Sequence, residues 1–151
     1  MIFLEKPDDL SPDIPADLVE NAAALALIHQ SAPEEADLTI VLSDDHQLQE
    51  LNLQWMGVDA PTDVLSFPSD EIDPETGSRY LGDILISVQR AVEQAKAAGH
   101  APVSEIELLV VHGVLHLMGH DHAEPEEKAR MWKAQAEILA QLGLGSLEIR
   151  E

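Results

Sequence analysis

The segment Val111 to His122, with the sequence V-H-G-V-L-H-L-M-G-H-D-H, constrains the fold of this chain more than any other part. His112 and His116 are four residues apart within an apolar run, so a helix would place both imidazoles on one face. Gly119 follows, and glycine tolerates the positive φ angles that are common at a helix C-terminus. The chain can therefore end the helix there and bring His122 back towards the pair.

Three imidazoles around one ion leave a fourth tetrahedral position open, which is typical of catalytic zinc sites. We therefore predict that His112, His116 and His122 bind one Zn2+ per chain, and Ni2+ or Co2+ would also suit these ligands. The alternative is that each histidine is an ordinary hydrogen-bonded core residue. Burying several unpaired imidazoles in so apolar a segment costs roughly a few kcal/mol, which favours coordination. His120 is not counted as a ligand.

The ligand spacing H-x3-H-x5-H is that of the zinc-protease motif H-E-x-x-H-x-x-G-x-x-H. In that motif the residue after the first histidine is the general-base glutamate, but here it is Gly113. Proteolysis is therefore disfavoured. Asp121 is the nearest candidate for a base or for a hydrogen-bond partner of a ligand imidazole, and the second role is favoured.

The chain length of 151 residues suits one domain with a single core. The absence of cysteine excludes disulfides and thiolate zinc fingers, so a metal site must use nitrogen and oxygen ligands. The N-terminus lacks the pattern of a signal peptide, and no apolar run approaches membrane-spanning length. These features predict a cytoplasmic protein without a membrane partner.

The charge balance is strongly acidic, with 8 Lys plus Arg against 29 Asp plus Glu and a formal net charge of −21. Nucleic acid is bound mainly through cations, so the composition alone argues against an RNA or DNA partner. Most of the carboxylates are interpreted as a solvated surface that aids solubility. A local cluster of the few cations could still make one face less negative.

Periodicity and turn residues predict strands interleaved with helices, and hence an α/β or α+β fold. Strands are expected at 2–4, 37–43, 64–67 and 80–87, and helices at 16–30, 44–55, 88–98, 104–117 and 125–142. Ser43 is expected to cap the second helix, and a Ser104/Glu107 capping box to open the buried histidine helix. Trp55 and Trp132 are interpreted as core residues, 67–80 as an acidic loop, and Gly82 as a kink at a strand start rather than a bulge.

Four motifs together resemble one known family. H-G-V-L-H-L-M-G-H-D-H, P-T-D-V-L-S-F-P at 61–68, L-G-D-I at 81–84 and L-N-x-x-W at 51–55 are similar to the YbeY family of bacterial metal-dependent endoribonucleases, also called rRNA maturation factors. The similarity spans about 37–142. It implies a compact α+β fold, with a small, mostly parallel sheet flanked by helices and the metal in a cleft. Residues 1–151 would then form a single metal-dependent hydrolase domain.

The resemblance also implies a function and a partner. The family's zinc ligands correspond to His112, His116 and His122, and its activity would be cleavage of single-stranded RNA. The substrate would be the 16S rRNA precursor, matured at its 3′ end, and the protein would act with the ribosome in quality control. One departure stands out, because the family's Y-R-G is Trp55, Met56 and Gly57 here. Another cation, for example Arg79 or Arg90, would have to replace the missing arginine.

The mechanism expected from these residues is metal-assisted phosphodiester hydrolysis, in which the ion polarises a phosphate oxygen and lowers the pKa of a bound water towards about 7. Two alternatives remain open at this point. One is a zinc hydrolase of peptide or another substrate. The other is a non-catalytic ribosome-associated factor whose metal stabilises the fold.

Overall fold

Four strands form one sheet in the computed structural model, which describes residues 1–10 and 13–147. The strands are β1 (Ile2–Glu5), β2 (Ala36–Ser43), β3 (Val64–Pro68) and β4 (Arg79–Ser87). The order is β1-β2-β4-β3, with β1, β2 and β4 parallel and β3 antiparallel at one edge. The expected small, mostly parallel sheet in an α+β domain is confirmed.

Five α-helices surround this sheet. They are α1 (Ala16–His29), α2 (Asp45–Leu51), α3 (Val88–Ala98), α4 (Pro102–Leu117) and α5 (Pro125–Gln141), and a π-helical turn at Asn52–Met56 extends α2. In the described part of the chain, none of the helices combines the length and apolarity needed to cross a membrane.

The two faces of the sheet have different partners because side chains alternate along a strand. In β4, Ile84 and Ile86 are fully buried in the main core, which α4 and α1 complete. Leu85 points to the opposite face, where it packs with Leu48 of α2 and Leu65 of β3 in a smaller core. The sheet is therefore covered on both faces, as its parallel strands require.

Helix α4 is the central element of the main core, as predicted. Eleven of its sixteen residues are buried, and it packs against α1, α3, α5, β3 and β4. The predicted capping box is wrong, because the helix begins at Pro102 and Ala101 is the N-cap. Proline is favoured in the first turn, where its missing N–H has no intrahelical partner to lose. Ser104 and Glu107 consequently lie inside the helix.

Two predictions about α2 are also wrong. Its N-cap is Asp44, whose side chain accepts a 2.8 Å hydrogen bond from the backbone N–H of Gln47, whereas Ser43 still belongs to β2. Trp55 is 63% exposed rather than a core residue. The reason is the π-helical turn, which adds a residue per turn and rotates Trp55 away from the face that an α-helical periodicity assigns to it.

Gly82 lies at a β-bulge, so its interpretation as a plain strand-start kink is wrong. Asp37 pairs with Tyr80 and Leu38 pairs with Gly82, which leaves Leu81 as an extra residue in β4. Gly82 has φ +139°, and an added Cβ would lie 2.2 Å from the carbonyl oxygen of Phe67. The bulge thus requires glycine where β3 and β4 approach each other.

The acidic segment after β3 is shorter than the predicted loop at 67–80. Phe67 and Pro68 belong to β3 and pair with β4, and Arg79 and Tyr80 belong to β4 and pair with β2, so the connection spans 69–78. An isolated antiparallel bridge between Ile72 and Arg79 continues the β3–β4 hairpin into this connection.

Candidate metal centre

The position of α4 on the sheet is set by Gly113. An added Cβ there would meet the side chain of Ile84 at 2.7 Å, so only glycine allows the helix backbone to lie this close to β4. His112 and His116 flank this contact and line a groove beside β3. The close packing fixes the backbone that carries both imidazoles.

The structure brings His112, His116 and His122 together. One nitrogen from each ring lies within 4.8 Å of the other two, and this is the one such group among the described histidines and carboxylates. The ring centroids of His112 and His116 are 4.6 Å apart, and the ring of His122 is 5.6 Å and 5.3 Å from them. Their arrangement is the one that the sequence spacing predicts.

The outer nitrogens of the two helical histidines have hydrogen-bond partners that define their tautomers. Nδ1–H of His112 donates to Oε1 of Gln135 at 3.2 Å, and Nδ1–H of His116 donates to the carbonyl oxygen of His120 at 2.9 Å. Both Nε2 atoms therefore carry lone pairs, yet they face each other at 3.0 Å. Two nitrogens of one tetrahedral zinc site lie about 3.3 Å apart, so this donor set fits a shared cation.

Burial keeps these imidazoles neutral. It lowers the pKa of His112 to about 4, with the neighbouring His116 adding to the effect. Burial also lowers the pKa of His116 below its usual value. Neutral imidazole is the metal-binding form, so at neutral pH an ion does not have to compete with protons at these two residues.

A tight turn returns the chain from α4 to the site. Gly119 adopts φ +96°, which few other residues tolerate, directly after the helix ends. The backbone N–H of His122 then donates a 2.7 Å hydrogen bond to Oδ1 of Asp121. Asp121 thus orients the turn through the backbone rather than through an imidazole. His120 lies outside the triad, where its Nε2–H donates to Oε1 of Gln30 at 2.8 Å.

The three histidines line an open groove with a volume of about 1030 Å³. One wall contains β3 and the loop before it, and the other contains α3 and α4, with Gln135 of α5 at the histidine end. Glu105 also lines the groove and accepts a 2.6 Å hydrogen bond from His100, so it is not part of the triad. No lysine or arginine is found among the described residues that line this groove.

Neither of the arginines expected to replace the cation missing at Met56 lines the groove. Both polar ends of the Arg90 guanidinium contact Asp45, at 3.3 Å and 3.1 Å. Arg79 begins β4, where its backbone N–H bonds the carbonyl oxygen of Glu35. Met56 itself lines the groove and is half-exposed, so this part of the wall is apolar.

Two cationic side chains near the histidine turn belong to the first turns of α5. The Nζ atom of Lys128 lies 5.4 Å from the ring centroid of Trp132, and that ring is 5.7 Å from the ring of His122. Arg130 lines a small pocket beside the histidine turn, together with His120, Asp121 and Glu127. Lys128 and Arg130 therefore lie near the site, but acidic side chains of the same turn and helix accompany them.

Two residues of the site are not evident from the sequence. Gln135 is 1% exposed and bonds His112, while its Nε2 atom is buried without a partner among the described residues. Trp132 packs edge-on against His112 and His122 rather than within the core alone. The available signal for Gln135 is its position in the apolar stripe of α5, between Met131 and Ile138, where an amide needs a polar neighbour.

Replacement of Gln135 by leucine should weaken zinc binding roughly 10- to 100-fold, because His112 loses the hydrogen bond that orients its ring. Gln135→Glu keeps an acceptor for Nδ1–H and should retain the wild-type affinity or exceed it. Competition with a chromogenic chelator measures both. Equal zinc affinity in all three proteins would contradict an orienting role for Gln135.

The packing around Gly113 argues against the alternative function of a zinc peptidase. In the zinc-protease motif, this position carries the general-base glutamate. Here the position faces Ile84 in the core, and a side chain would collide with it at 2.7 to 3.1 Å. A base at residue 113 is therefore incompatible with the packing of α4 on β4.

Comparison with known proteins agrees with the motifs. A family model described as Endoribonuclease YbeY matches residues 5–143. A Chloroflexus aurantiacus protein named Endoribonuclease YbeY is 47% identical over 135 residues, which cover 85% of this chain and 88% of that protein. A Clavibacter sepedonicus protein of the same name is 42% identical over 141 residues, which cover 90% and 92%.

The fold has a counterpart among solved structures. The solution structure of TM1509 from Thermotoga maritima aligns with a TM-score of 0.58 and 26% identity, over 95% of this chain and 92% of that one. Family match, sequence identity and fold thus extend over nearly the whole chain, including the helix and turn that hold the three histidines. The chain belongs to the YbeY endoribonuclease family.

Proposed function

We propose that this chain is a metal-dependent, single-strand-specific endoribonuclease that matures the 3′ end of 16S rRNA and acts with the ribosome in quality control in the cytoplasm. The observation that carries the proposal is the group of three imidazole nitrogens within 4.8 Å of one another, lining a long open groove. The name of the family supports RNA as the substrate. We assign the activity to a single hydrolase domain spanning residues 1–151.

In this proposal His112, His116 and His122 hold one ion, with Zn2+ favoured and Ni2+ or Co2+ also suited to three imidazoles. When bound, such an ion supplies a Lewis acid for a phosphate oxygen and a water of lowered pKa. Gln135 and the carbonyl oxygen of His120 keep the ligand rings oriented through their Nδ1–H groups. The groove walls hold the RNA strand against the triad.

We assign Asp121 the role of proton acceptor. Its carboxylate is exposed and lines the groove beside His122, and one oxygen, Oδ1, is fixed by the backbone N–H of that residue. In this role the second oxygen, Oδ2, accepts the proton. Asp121→Asn tests this role, and an unchanged rate at unchanged zinc affinity would remove Asp121 from the mechanism.

Lys128 is our candidate for the cation that replaces the family arginine. We expect Lys128→Gln to lower kcat/KM roughly tenfold and to reduce the slope of log(kcat/KM) against log[salt] by about 0.7, as for loss of one phosphate contact by single-stranded RNA. Lys133→Gln removes the same charge from an exposed position of the same helix and is the matched control. Equal slopes in the two variants would assign the phosphate contact elsewhere.

The proposed function is tested with zinc-loaded protein and a single-stranded RNA that carries a 16S 3′ precursor end. We expect endonucleolytic cleavage that stops when a chelator is added and is much slower on the same RNA paired to its complement. Protein that retains one zinc but cuts no RNA would instead favour the non-catalytic ribosome-associated factor. Cleavage of an unfolded protein substrate, abolished by chelator, would restore the peptidase alternative.

A further inference from the structure

The π-helical turn after α2 and the segment that follows it carry an exposed apolar patch. Leu53, Trp55, Met56 and Val58 are each about half or more exposed, and Trp55 reaches 63%. They account for four of the nine large exposed apolar side chains in the described part of the chain. Clustered apolar exposure of this kind marks interaction surfaces, and π-helical turns are frequent at functional sites.

Trp55 packs against one residue of β3 and is the neighbour in the chain of a residue that lines the groove. Its ring packs edge-on against Phe67 of β3, with centroids 6.4 Å apart and planes at 70°. Phe67 belongs to the same strand as Leu65 and Ser66, which line the groove wall. The adjacent Met56 lines the groove itself, together with the three histidines. The indole is not itself among the groove-lining residues, but it is the neighbour of Met56 in the chain, so the exposed ring lies next to the groove that contains the candidate metal centre.

The negative net charge of the chain restricts which ligands this apolar patch can bind. A chain of net charge −21, with no lysine or arginine among the described groove-lining residues, repels a phosphate backbone except at a bound ion and at single cations such as Lys128. Stacking on an aromatic face does not depend on charge, and every nucleobase has a π-face to offer. An exposed indole beside the groove is therefore the most suitable attachment point for an RNA strand.

We propose that Trp55 is a base-stacking subsite, on which an unpaired base of the bound strand stacks while the strand enters the groove over Met56. The inference rests on the proposed function, because it takes RNA as the occupant of the groove. It also supplies a physical reason for single-strand specificity. Bases in a duplex are stacked on each other and paired, so they cannot turn towards the indole.

The chain permits a direct optical test, since it contains two tryptophans, Trp55 and Trp132. In full-length, zinc-loaded protein, the part of the indole emission that wild type has and Trp55→Phe lacks comes from Trp55. Titration with a single-stranded RNA octamer should quench this emission. The same octamer paired to its complement, and an octamer with abasic sugars in place of its nucleosides, should quench it little.

Affinity variants complete the test. With a 5′-fluorescein octamer, Trp55→Ala should weaken binding roughly 10- to 100-fold, because one stacked base is lost. Trp55→Phe retains an aromatic face and should stay within about threefold of wild type. Ile28→Ala is the matched control, since it removes an exposed apolar side chain, 73% exposed, that does not line the groove. Trp55 is exposed, so thermal unfolding of each variant should stay near that of wild type.

The outcomes separate this inference from the proposed function. Quenching and weakened binding without any RNA cleavage would support the stacking subsite while the proposed function fails. Cleavage and binding that do not change in Trp55→Ala would overturn the subsite while the proposed function stands. Loss of association with ribosomal particles in Trp55→Ala, at unchanged affinity for the octamer, would also overturn it and would assign the patch to a protein partner.

Discussion

His116→Ala is expected to abolish both zinc retention and RNA cleavage. His116 lies in the middle of the triad, with its Nε2 atom 3.0 Å from that of His112 and its ring 5.3 Å from His122. Two imidazoles cannot complete a three-ligand site, and a metal ion contributes several kcal/mol of transition-state stabilisation. Since each 1.4 kcal/mol corresponds to a factor of ten, we expect the rate to fall by roughly 10³-fold or more.

Measurement of bound zinc after gel filtration, together with thermal unfolding with and without added zinc, provides readouts independent of cleavage. Wild type should retain one ion and be stabilised by about 2.7 kcal/mol at a free zinc concentration 100 times its Kd, whereas His116→Ala should show no such stabilisation. His46→Ala is the matched control, because His46 is an 84% exposed histidine on α2. A His116→Ala protein that keeps its zinc and its rate would exclude the triad as the site.

The features predictable from sequence are those set by short-range patterns. The buried helix α4, the return of His122 and the four strands all follow from apolar periodicity and from glycine at fixed spacing. The strands even alternate as expected, with Ile84 and Ile86 on one face and Leu85 on the other. Local patterns suffice to predict these elements, because the spacing of apolar residues within each segment already indicates which of its faces is buried.

The features that the sequence does not predict depend on contacts between distant segments or on local geometry that propensities do not encode. Gln135 acquires its role only because α5 packs across α4 and brings it 3.2 Å from His112, 23 residues earlier. An α-helical period assigns Trp55 to the core, whereas the chain forms a π-helical turn there. Where the few cations lie is likewise a property of the folded chain: Lys128 stands over Trp132, and Arg130 lies beside the histidine turn together with Glu127 and Asp121.

An acidic protein can bind RNA if the groups that attract the RNA act at short range. Among the described residues, the groove wall carries no lysine or arginine, so strand binding would depend on a bound ion, on Lys128 and on the exposed indole of Trp55. Each of these acts within a few ångströms, whereas the repulsion of the net charge is screened over about 8 to 10 Å at physiological salt. RNA affinity should consequently vary less with salt than that of a protein with a basic groove.

Gly82→Ala is expected to destabilise the fold severely, although it adds only one methyl group. At φ +139° the alanine is strained by about 1–3 kcal/mol, and its Cβ would lie 2.2 Å from the carbonyl oxygen of Phe67. That oxygen belongs to the backbone of β3, so no side-chain rotation relieves the collision, and overpacking adds roughly 1–3 kcal/mol. The added methyl would also press against Leu117, at 2.9 Å, where α4 ends beside the histidine turn.

A combined loss of about 2–6 kcal/mol is a large part of the 5–15 kcal/mol that stabilises a typical domain. For a chain of this size it corresponds to a decrease in Tm of roughly 4–24 °C, measurable by calorimetry. Gly99→Ala is the matched control, because Gly99 caps α3 at φ +81° with no atom within 4 Å of an added Cβ. It should lose only the backbone strain, about 1 kcal/mol. Equal losses in the two variants would mean that β3 can move away from β4 at the bulge, and the groove wall that β3 forms beside the three histidines would then be adjustable rather than fixed.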